Sequence, residues 1–257
     1  MNNINRRRYV LSIKSLTLIC IFLFLIIFSI LLYFNKNNLI QISKNTIQSF
    51  SENFQYQFLK FDISGLEKIE LKFVEDKLQN YLGSSIFLLP LDQINSSIKE
   101  NNWVKEIYLN TNYKDTLFIK IIEYKPIGIY FFNEKYFYFN KNGKIIDQIY
   151  FRDFSSQPLL IFTGNSSNLK ANSIIEILGN NNFQKKYKIE SLEFINKRRW
   201  NINLYSDVKL MLSEEDPNKS IQNFIMIQNK LSETDINNIQ TYDLRNLKKT
   251  ILINLND

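Results

Sequence analysis

Three consecutive acidic residues, Glu214, Glu215 and Asp216, form the group in this chain whose type and spacing could do chemistry. Clustered carboxylates bind hard cations such as Ca²⁺, and a pair of them can serve as acid and base in hydrolysis. Pro217 follows at once, and proline favours the first position of a helix, where its missing N–H costs nothing. The cluster is therefore either a cation site or a solvated turn before a helix, and the proline favours the turn.

Histidine is absent from the chain and cysteine is nearly so. The 257 residues include no histidine and a single cysteine, Cys20. This composition excludes Ser-His-Asp and Cys-His nucleophiles, a histidine general base, a zinc site built from cysteine or histidine, and an intramolecular disulfide. We predict no catalytic residue, no metal site and no cofactor. The alternative is a membrane-anchored, carboxylate-dependent hydrolase of envelope polymers, which requires two carboxylates about 5–10 Å apart in a cleft.

The net charge of +7 comes from basic residues spread along the chain. The one dense cluster outside the apolar N-terminal region is Lys197, Arg198 and Arg199. Such a distribution suits proximity to anionic lipid headgroups better than nucleic acid binding. We therefore predict the lipid bilayer, and not nucleic acid, among the partners.

An almost uninterrupted apolar run from Leu16 to Phe34 follows Arg6, Arg7, Arg8 and Lys14. About 20 helical residues cross a hydrocarbon core of about 30 Å, which predicts a transmembrane helix. The basic residues before it place the N-terminus in the cytoplasm. A cleaved signal peptide is the main alternative, but its apolar core is shorter and ends at a small-residue cleavage site.

The pattern after this run predicts an α+β chain. Residues 35–57 are polar with weak apolar spacing, and they either continue the helix or form a spacer. A strand near Phe58–Ile63, two amphipathic helices ending near Gly83 and Ile98, and strands at Val104–Asn110 and Leu117–Tyr124 then give the order β-α-α-β-β.

The second half predicts a mostly antiparallel β domain. Asn142-Gly143 indicates a hairpin between strands at Tyr136–Phe139 and Lys144–Ile149. Further predicted elements are a short helix at Ala171–Gly179, strands at Tyr187–Ile195, Arg199–Leu204 and Val208–Leu212, a long helix from Pro217, and a final strand pair at Ile239–Leu244 and Thr250–Leu255.

The β-α-α-β-β unit behind a membrane anchor resembles a polypeptide-transport-associated (POTRA) domain. The resemblance rests on the following segments: Phe61-Asp62-Ile63-Ser64-Gly65, Ser85-Ile86-Phe87-Leu88-Leu89-Pro90-Leu91, Trp103-Val104-Lys105, Asp115-Thr116-Leu117 and Glu123-Tyr124-Lys125-Pro126. Trp103 is expected to pack in the core.

With the second half included, the whole chain resembles the FtsQ/DivIB family of bacterial cell-division proteins. The segments that carry this are Arg199-Trp200-Asn201-Ile202-Asn203-Leu204, Asp207-Val208-Lys209-Leu210-Met211-Leu212 and Thr241-Tyr242-Asp243-Leu244-Arg245. The chain departs from the family pattern at the turn residues Asn102, Lys114 and Asn140, and at Lys248 and Lys249, where the family has small residues.

The resemblance implies a non-enzymatic scaffold of the division machinery. It would bind FtsB- and FtsL-type single-pass partners, help recruit and regulate septal cell-wall synthesis, and contact other division proteins through the POTRA domain. It would lie in the bacterial inner membrane at the septum, with its C-terminal domains in the periplasm. The implied FtsB-binding residues are Tyr242, Leu244, Arg245, Lys248, Lys249, Thr250, Ile251 and Leu252. Asp243 and Arg245 could instead form a local structural pair.

The expected domains are a cytoplasmic tail (1–15), a transmembrane helix (16–34), a juxtamembrane spacer (35–57), a POTRA domain (58–125) and a β-rich C-terminal domain (126–257).

Overall fold

The computed structural model describes residues 13–150 and 159–254, with side chains from residue 17 onward. Helix α1 runs over Ile13–Phe34. The 18 residues Thr17–Phe34 of this helix have a mean hydropathy of 2.9, and none of them is buried. Among the described residues, α1 alone has the length and composition to cross a membrane. Leu16 and Lys14 belong to α1 without described side chains, and Arg6, Arg7 and Arg8 lie outside the described residues.

Helix α2, Lys36–Phe54, shows that the segment after the apolar run is helical. It ends where Gln55 adopts a left-handed conformation with φ 62. Near this end the hydroxyls of Ser51 and Ser85 lie 2.6 Å apart, and the backbone N–H of Ser85 donates to Gln48 Oε1 at 2.8 Å. These contacts attach α2 to the loop that joins the next two helices.

The predicted β-α-α-β-β order is confirmed. Its elements are β1 (Lys60–Ser64), α3 (Leu71–Leu78), α4 (Leu91–Ile98), β2 (Val104–Thr111) and β3 (Thr116–Glu123). The strands form one sheet in the order β1-β3-β2, with β1 parallel to β3. Alternate residues of β3, Leu117, Ile119 and Ile121, are at most 1% exposed, as the period of two in a half-buried strand requires.

The described residues fall into two compact units. The first comprises the described residues up to Ser64, Leu71–Ser97 and Tyr108–Lys120, and the second comprises Gly65–Glu70, Ile98–Ile107 and the described residues from Ile121 onward.

The second unit is built on a nine-stranded sheet. Its strands are β4 (Gly128–Phe132), β5 (Lys135–Phe139), β6 (Ile145–Ile149), β7 (Ile161–Thr163), β8 (Ile189–Ile195), β9 (Arg199–Leu204), β10 (Lys209–Leu212), β11 (Ile239–Leu244) and β12 (Ile251–Asn254). The order is β12-β11-β10-β9-β8-β7-β4-β5-β6. Pairing is antiparallel except at β4–β7, β7–β8 and β10–β11, so the sheet is mixed but mostly antiparallel.

Among the described residues of this unit, four helices accompany the sheet: α5 (Ser167–Asn180), α6 (Phe183–Lys186), α7 (Pro217–Gln228) and α8 (Glu233–Asn238). Helix α5 contacts β4 and β7, and α7 contacts β10 and β11. They cover an aromatic core in which Phe162, Phe183 and Tyr242 are fully buried. The sequence indicated α5 and α7 but not the short α6 and α8.

Two of the departing turn residues form ordinary loops. Asn140 Oδ1 accepts from the backbone N–H groups of Asn142 and Lys144 at 3.0 and 3.1 Å, and Gly143 has a φ of +78. Near Lys114, the Asn112 side chain likewise accepts from consecutive backbone N–H groups. The hairpin and the β2–β3 turn therefore close without the family's residues at these positions.

The β2–β3 turn also carries a carboxyl group with a lowered pKa, that of Asp115. Asp115 accepts hydrogen bonds from Asn112 and Thr116, and Lys60 Nζ lies 3.5 Å from its Oδ2. These contacts, the bond from Asn112 first, lower the Asp115 pKa from 3.8 to about 2.

Candidate partner-binding site

Strand β12, the second strand of the predicted final pair, lies at one end of the nine-stranded sheet and so forms a sheet edge. It pairs antiparallel with β11, with Leu252 opposite Tyr242 and Ile251 opposite Asp243. Its other side carries backbone N–H and C=O groups that the sheet does not use. An edge of this kind can accept a strand from another chain.

Three of the four β12 side chains are apolar, and they are exposed on both faces. Ile251, Leu252 and Ile253 are 50%, 36% and 39% exposed. Successive residues of a strand point to opposite faces, so an added strand would find apolar contacts on either side of the sheet. Edge strands are usually blunted by charge or proline, which Ile251–Asn254 lacks.

The remaining residues predicted for partner binding fall into two groups. Tyr242 and Leu244 are fully buried in β11, and the Tyr242 hydroxyl accepts from Gln228 Nε2 at 2.8 Å. Burial raises the Tyr242 pKa above its usual 10.0. Arg245, Lys248 and Lys249 are exposed in the loop between β11 and β12, with half-buried Thr250 directly before β12. Only the second group, with β12, offers side chains to a partner.

Asp243 and Arg245 form the local pair that the sequence left as one alternative. Arg245 Nε donates to Asp243 Oδ1 at 2.8 Å, its Nη2 donates to Oδ2, and its backbone N–H also donates to Oδ1 at 3.1 Å. The Arg245 hydrogen bonds lower the pKa of the nearly buried Asp243 carboxyl, against the opposing effect of burial. The Arg245 side chain nonetheless stays 53% exposed, so it can also face a partner.

A cationic cleft adjoins the β11–β12 loop. The cleft encloses about 860 Å³ and is lined by Arg198, Arg199, Ser213, Glu214, Glu215, Arg245, Asn246, Leu247 and Lys248. Arg199 Nη1 is buried and has no hydrogen-bond partner among the described residues. From the sequence, Arg198 and Arg199 were predicted only as part of a basic cluster. Their proximity to Arg245 could not be predicted, because it arises from the pairing of β9, β10 and β11.

The acidic residues before Pro217 form a turn. Asp216 Oδ1 accepts from the backbone N–H of Lys219 at 2.8 Å, and so caps the N-terminus of α7. Glu214 lies 3.7 Å from Arg198 Nη1 in an exposed ion pair. Within residues 13–150 and 159–254, no group of three or more His, Cys, Asp or Glu side chains could hold a metal ion. The turn interpretation is therefore the one that the geometry supports.

Glu123, the first residue of the segment Glu123-Tyr124-Lys125-Pro126, has a structural role. The residue is 9% exposed. Its carboxylate accepts hydrogen bonds from the backbone N–H groups of Glu67 and Lys68 at 2.8 Å each and of Ile69 at 3.0 Å. The loop after Gly65 is thus held by one side chain from the end of β3. The sequence offered no sign of this contact, because more than 50 residues separate its partners.

Trp103 is 8% exposed, as expected for core packing. Its ring contacts Tyr138 edge-on, with centroids 5.6 Å apart. Its indole Nε1 donates to Asp147 Oδ2 at 3.0 Å, which satisfies the one polar group of the side chain.

Comparison with known protein families covers both halves of the chain. Residues 58–124 match the family model described as "POTRA domain, FtsQ-type", and residues 130–245 match "Cell division protein FtsQ/DivIB, C-terminal". The chain belongs to the FtsQ/DivIB family. It is thus a member of a family of cell-division proteins, which supports a role in the division machinery.

Individual members of this family align along the chain. The cell division protein FtsQ of Rickettsia felis is 26% identical over 96% of this chain and 92% of its own length. The FtsQ protein of Rickettsia typhi is 31% identical over 65% of this chain and 60% of its own length. That of Bradyrhizobium diazoefficiens is 22% identical over 59% of this chain and 42% of its own length.

Proposed function

We propose that this FtsQ/DivIB-family chain is a non-catalytic scaffold that captures a strand from a small single-pass partner of the FtsB or FtsL type. Capture adds the partner strand to β12. Through such partners the chain helps to recruit and regulate septal cell-wall synthesis. The observation that carries the proposal is the open β12 edge with three exposed apolar side chains.

Backbone hydrogen bonds and side-chain contacts both contribute to partner binding at this edge. Hydrogen bonds from the open side of β12 supply affinity without sequence preference, while Ile251, Leu252 and Ile253 select apolar side chains on the partner. The buried Tyr242 and Leu244 hold β11, against which β12 is paired, and so position the edge indirectly.

The cationic cleft gives the site a charge preference. Arg198, Arg199, Arg245 and Lys248 outnumber the acids Glu214 and Glu215 along its lining. A partner segment leaving the β12 edge at the loop end meets this cleft, so an acidic side chain there gains charge-assisted hydrogen bonds. The exposed side chains of Arg198 and Arg245 supply donors for it.

We also propose the domain boundaries expected from the sequence, at residues 15, 34, 57 and 125. Helix α1 anchors the chain in the inner membrane at the septum, with a cytoplasmic N-terminus and periplasmic C-terminal domains. The POTRA domain provides a second docking surface for other division proteins.

The carboxyl groups support a non-catalytic role. Among the described residues, the carboxyl groups of Asp115 and Asp243 both have a pKa shifted downward, the opposite of what a general acid needs near neutral pH. Asp243 is also committed to Arg245 by two side-chain hydrogen bonds.

A proline scan along β12 tests the strand-addition model. Ile251→Pro, Leu252→Pro and Ile253→Pro are introduced into the full chain, which is then co-purified from membranes with a tagged FtsB-type partner. Successive N–H groups of an edge strand alternate between the neighbouring strand and the open side. Proline at an outward N–H removes a bond to the partner, and we expect capture to weaken about tenfold or more with little loss of folding.

The matched control is Gln148→Pro in β6, the strand at the other end of the same sheet. It should leave capture unchanged. Unchanged capture in all three β12 variants, with native circular dichroism, would rule out strand addition at this edge.

A further inference from the structure

Helix α2 exposes an unusual amount of apolar side chain. The residues concerned are 36–62% exposed and comprise Leu39, Ile40, Ile42, Ile47, Phe50 and Phe54. The helix begins one residue after α1, so this apolar surface starts next to the apolar helix that is long enough to cross a membrane. Contiguous exposed apolar surface on a folded chain marks an interaction site.

Five positions of α2 follow the spacing of a coiled coil. Ile40, Ser43, Ile47, Phe50 and Phe54 are separated by three, four, three and four residues, and we call this set the seam. Alternating steps of three and four keep side chains on the line that faces a partner helix. The polar member, Ser43, bonds through its hydroxyl to the carbonyls of Leu39 and Ile40 at 2.8 and 3.0 Å, so it can be covered without losing a hydrogen bond.

Aromatic rings pack at the C-terminal end of the seam. Phe50 and Phe54 have centroids 4.6 Å apart, and Tyr56 stacks on Phe50 at 6.1 Å. The Tyr56 ring in turn contacts Phe87 at 5.6 Å. With the Ser51–Ser85 contact, these rings fix the orientation of α2, so the seam is presented in one defined direction.

The composition of α2 favours a protein helix over a lipid surface as the occupant. Helices that lie in the membrane interface carry many Lys or Arg residues on their polar face. The polar side chains of α2 are mainly Asn, Ser and Gln, with two lysines, Lys36 and Lys44, and one acid, Glu52. A seam that starts beside α1 is most easily reached by a helix that leaves the same bilayer, and therefore runs parallel to it.

The charge of Lys36 favours a different chain, and not a second copy of this one, as the occupant of the seam. Continuing the seam spacing toward the membrane places Lys36 on the same line, four residues before Ile40. Two parallel copies would set Lys36 against Lys36, which opposes self-pairing. An acidic side chain at that level of the partner instead gains an attraction near the membrane.

We propose that the seam of α2 is a docking surface for a helix of a second single-pass membrane protein. That helix emerges from the bilayer beside α1, runs parallel to α2 and carries an acidic residue opposite Lys36. This site lies in the first compact unit and is separate from the β12 edge, so it extends the proposed function to a second contact.

Photo-cross-linking of the full chain in native membranes tests the proposal. A photoreactive amino acid replaces Ile40, Ile47 or Phe54 in turn, and matched controls carry it at Gln41 and Glu52 on other faces of α2. We expect at least tenfold more product at the seam positions. The product should contain a helical segment of the partner that directly follows its own transmembrane span and includes Asp or Glu.

A charge reversal makes the test specific. Lys36→Glu should reduce cross-linking at Ile40 about tenfold, and Lys36→Arg should retain it. A product of twice 30.7 kDa, lipid adducts alone, equal yields on all faces, or a partner peptide remote from its membrane span would overturn the proposal. The β12 proline variants should keep the seam cross-links, and their loss there would show that the seam is not an independent site.

Discussion

Replacing Glu123 by glutamine removes the charge that holds the loop Glu67–Ile69. The amide oxygen can occupy the place of Oε1 and keep accepting from Glu67 and Ile69, but the amide nitrogen then faces the N–H of Lys68. Two bonds change from charged to neutral acceptors and the third is lost.

The cost follows from these three bonds. A hydrogen bond to a charged group contributes about 1.5–3 kcal/mol and a neutral one about 0.5–1.5 kcal/mol, so each retained bond weakens by about 1 kcal/mol. Lys68 is exposed, so water can replace its lost acceptor in part, whereas Ile69 is only 5% exposed and depends on the side chain. Relief of the buried charge offsets some of the loss. We expect the free energy of unfolding to fall by about 2 kcal/mol.

Urea unfolding of the full chain in detergent measures this change, with the fluorescence of Trp103 and Trp200 as the signal. At a slope of about 2 kcal/mol per M, the midpoint should fall by about 1 M. The matched control is Glu70→Gln, an exposed glutamate beside the same loop, which should shift the midpoint hardly at all. A Glu123→Gln midpoint within error of that control would refute the role given to the three hydrogen bonds.

Two further changes test local structure. Gly65 has a φ of +85, and a Cβ there would lie 2.1 Å from the Ile121 carbonyl oxygen. Gly65→Ala should therefore destabilise the chain by more than about 2 kcal/mol in the same urea assay. The control is Gly179→Ala, which should be neutral or stabilising because no atom lies within 4 Å of the added Cβ. The Asp115 pKa of about 2 lies below its unfolded value of 3.8, so its stabilising contribution is complete above pH 3.8 and is lost as the pH falls toward 2. Asp115→Asn, which alters the bond to Asn112, should flatten the fall of stability between these pH values, and an NMR titration of Asp115 with a midpoint near 3.8 would contradict the assignment.

Local patterns in the sequence predicted the elements that carry their own signals. The apolar run, the period of two in β3 and the proline at the start of α7 each correspond to an observed element. The short strand β7 was not predicted, because three residues are too few to show a period. It exists because β4 and β8 pair with it on either side.

The fold decided how the residues predicted for partner binding are arranged. The last strand was predicted from the sequence, whereas the structure placed its residues Ile251–Ile253 at a sheet edge. The burial of Tyr242 and Leu244 was not expected, since a family motif marks positions without saying which side chains face outward. Arg199 entered the cleft only through the order of the strands.

The sequence by itself determined the apolar helix, the order of most strands and helices, the absence of histidine chemistry and the family resemblance, because each depends on residue type or on neighbours within a few positions. The tertiary structure alone decided which groups meet. The attachment of α2 through Ser51 and Ser85, the hydrogen bonds of Glu123 to a loop more than 50 residues away, and the cleft beside the β11–β12 loop all join distant segments. Such contacts depend on how the whole chain packs, and no local period in the sequence records them.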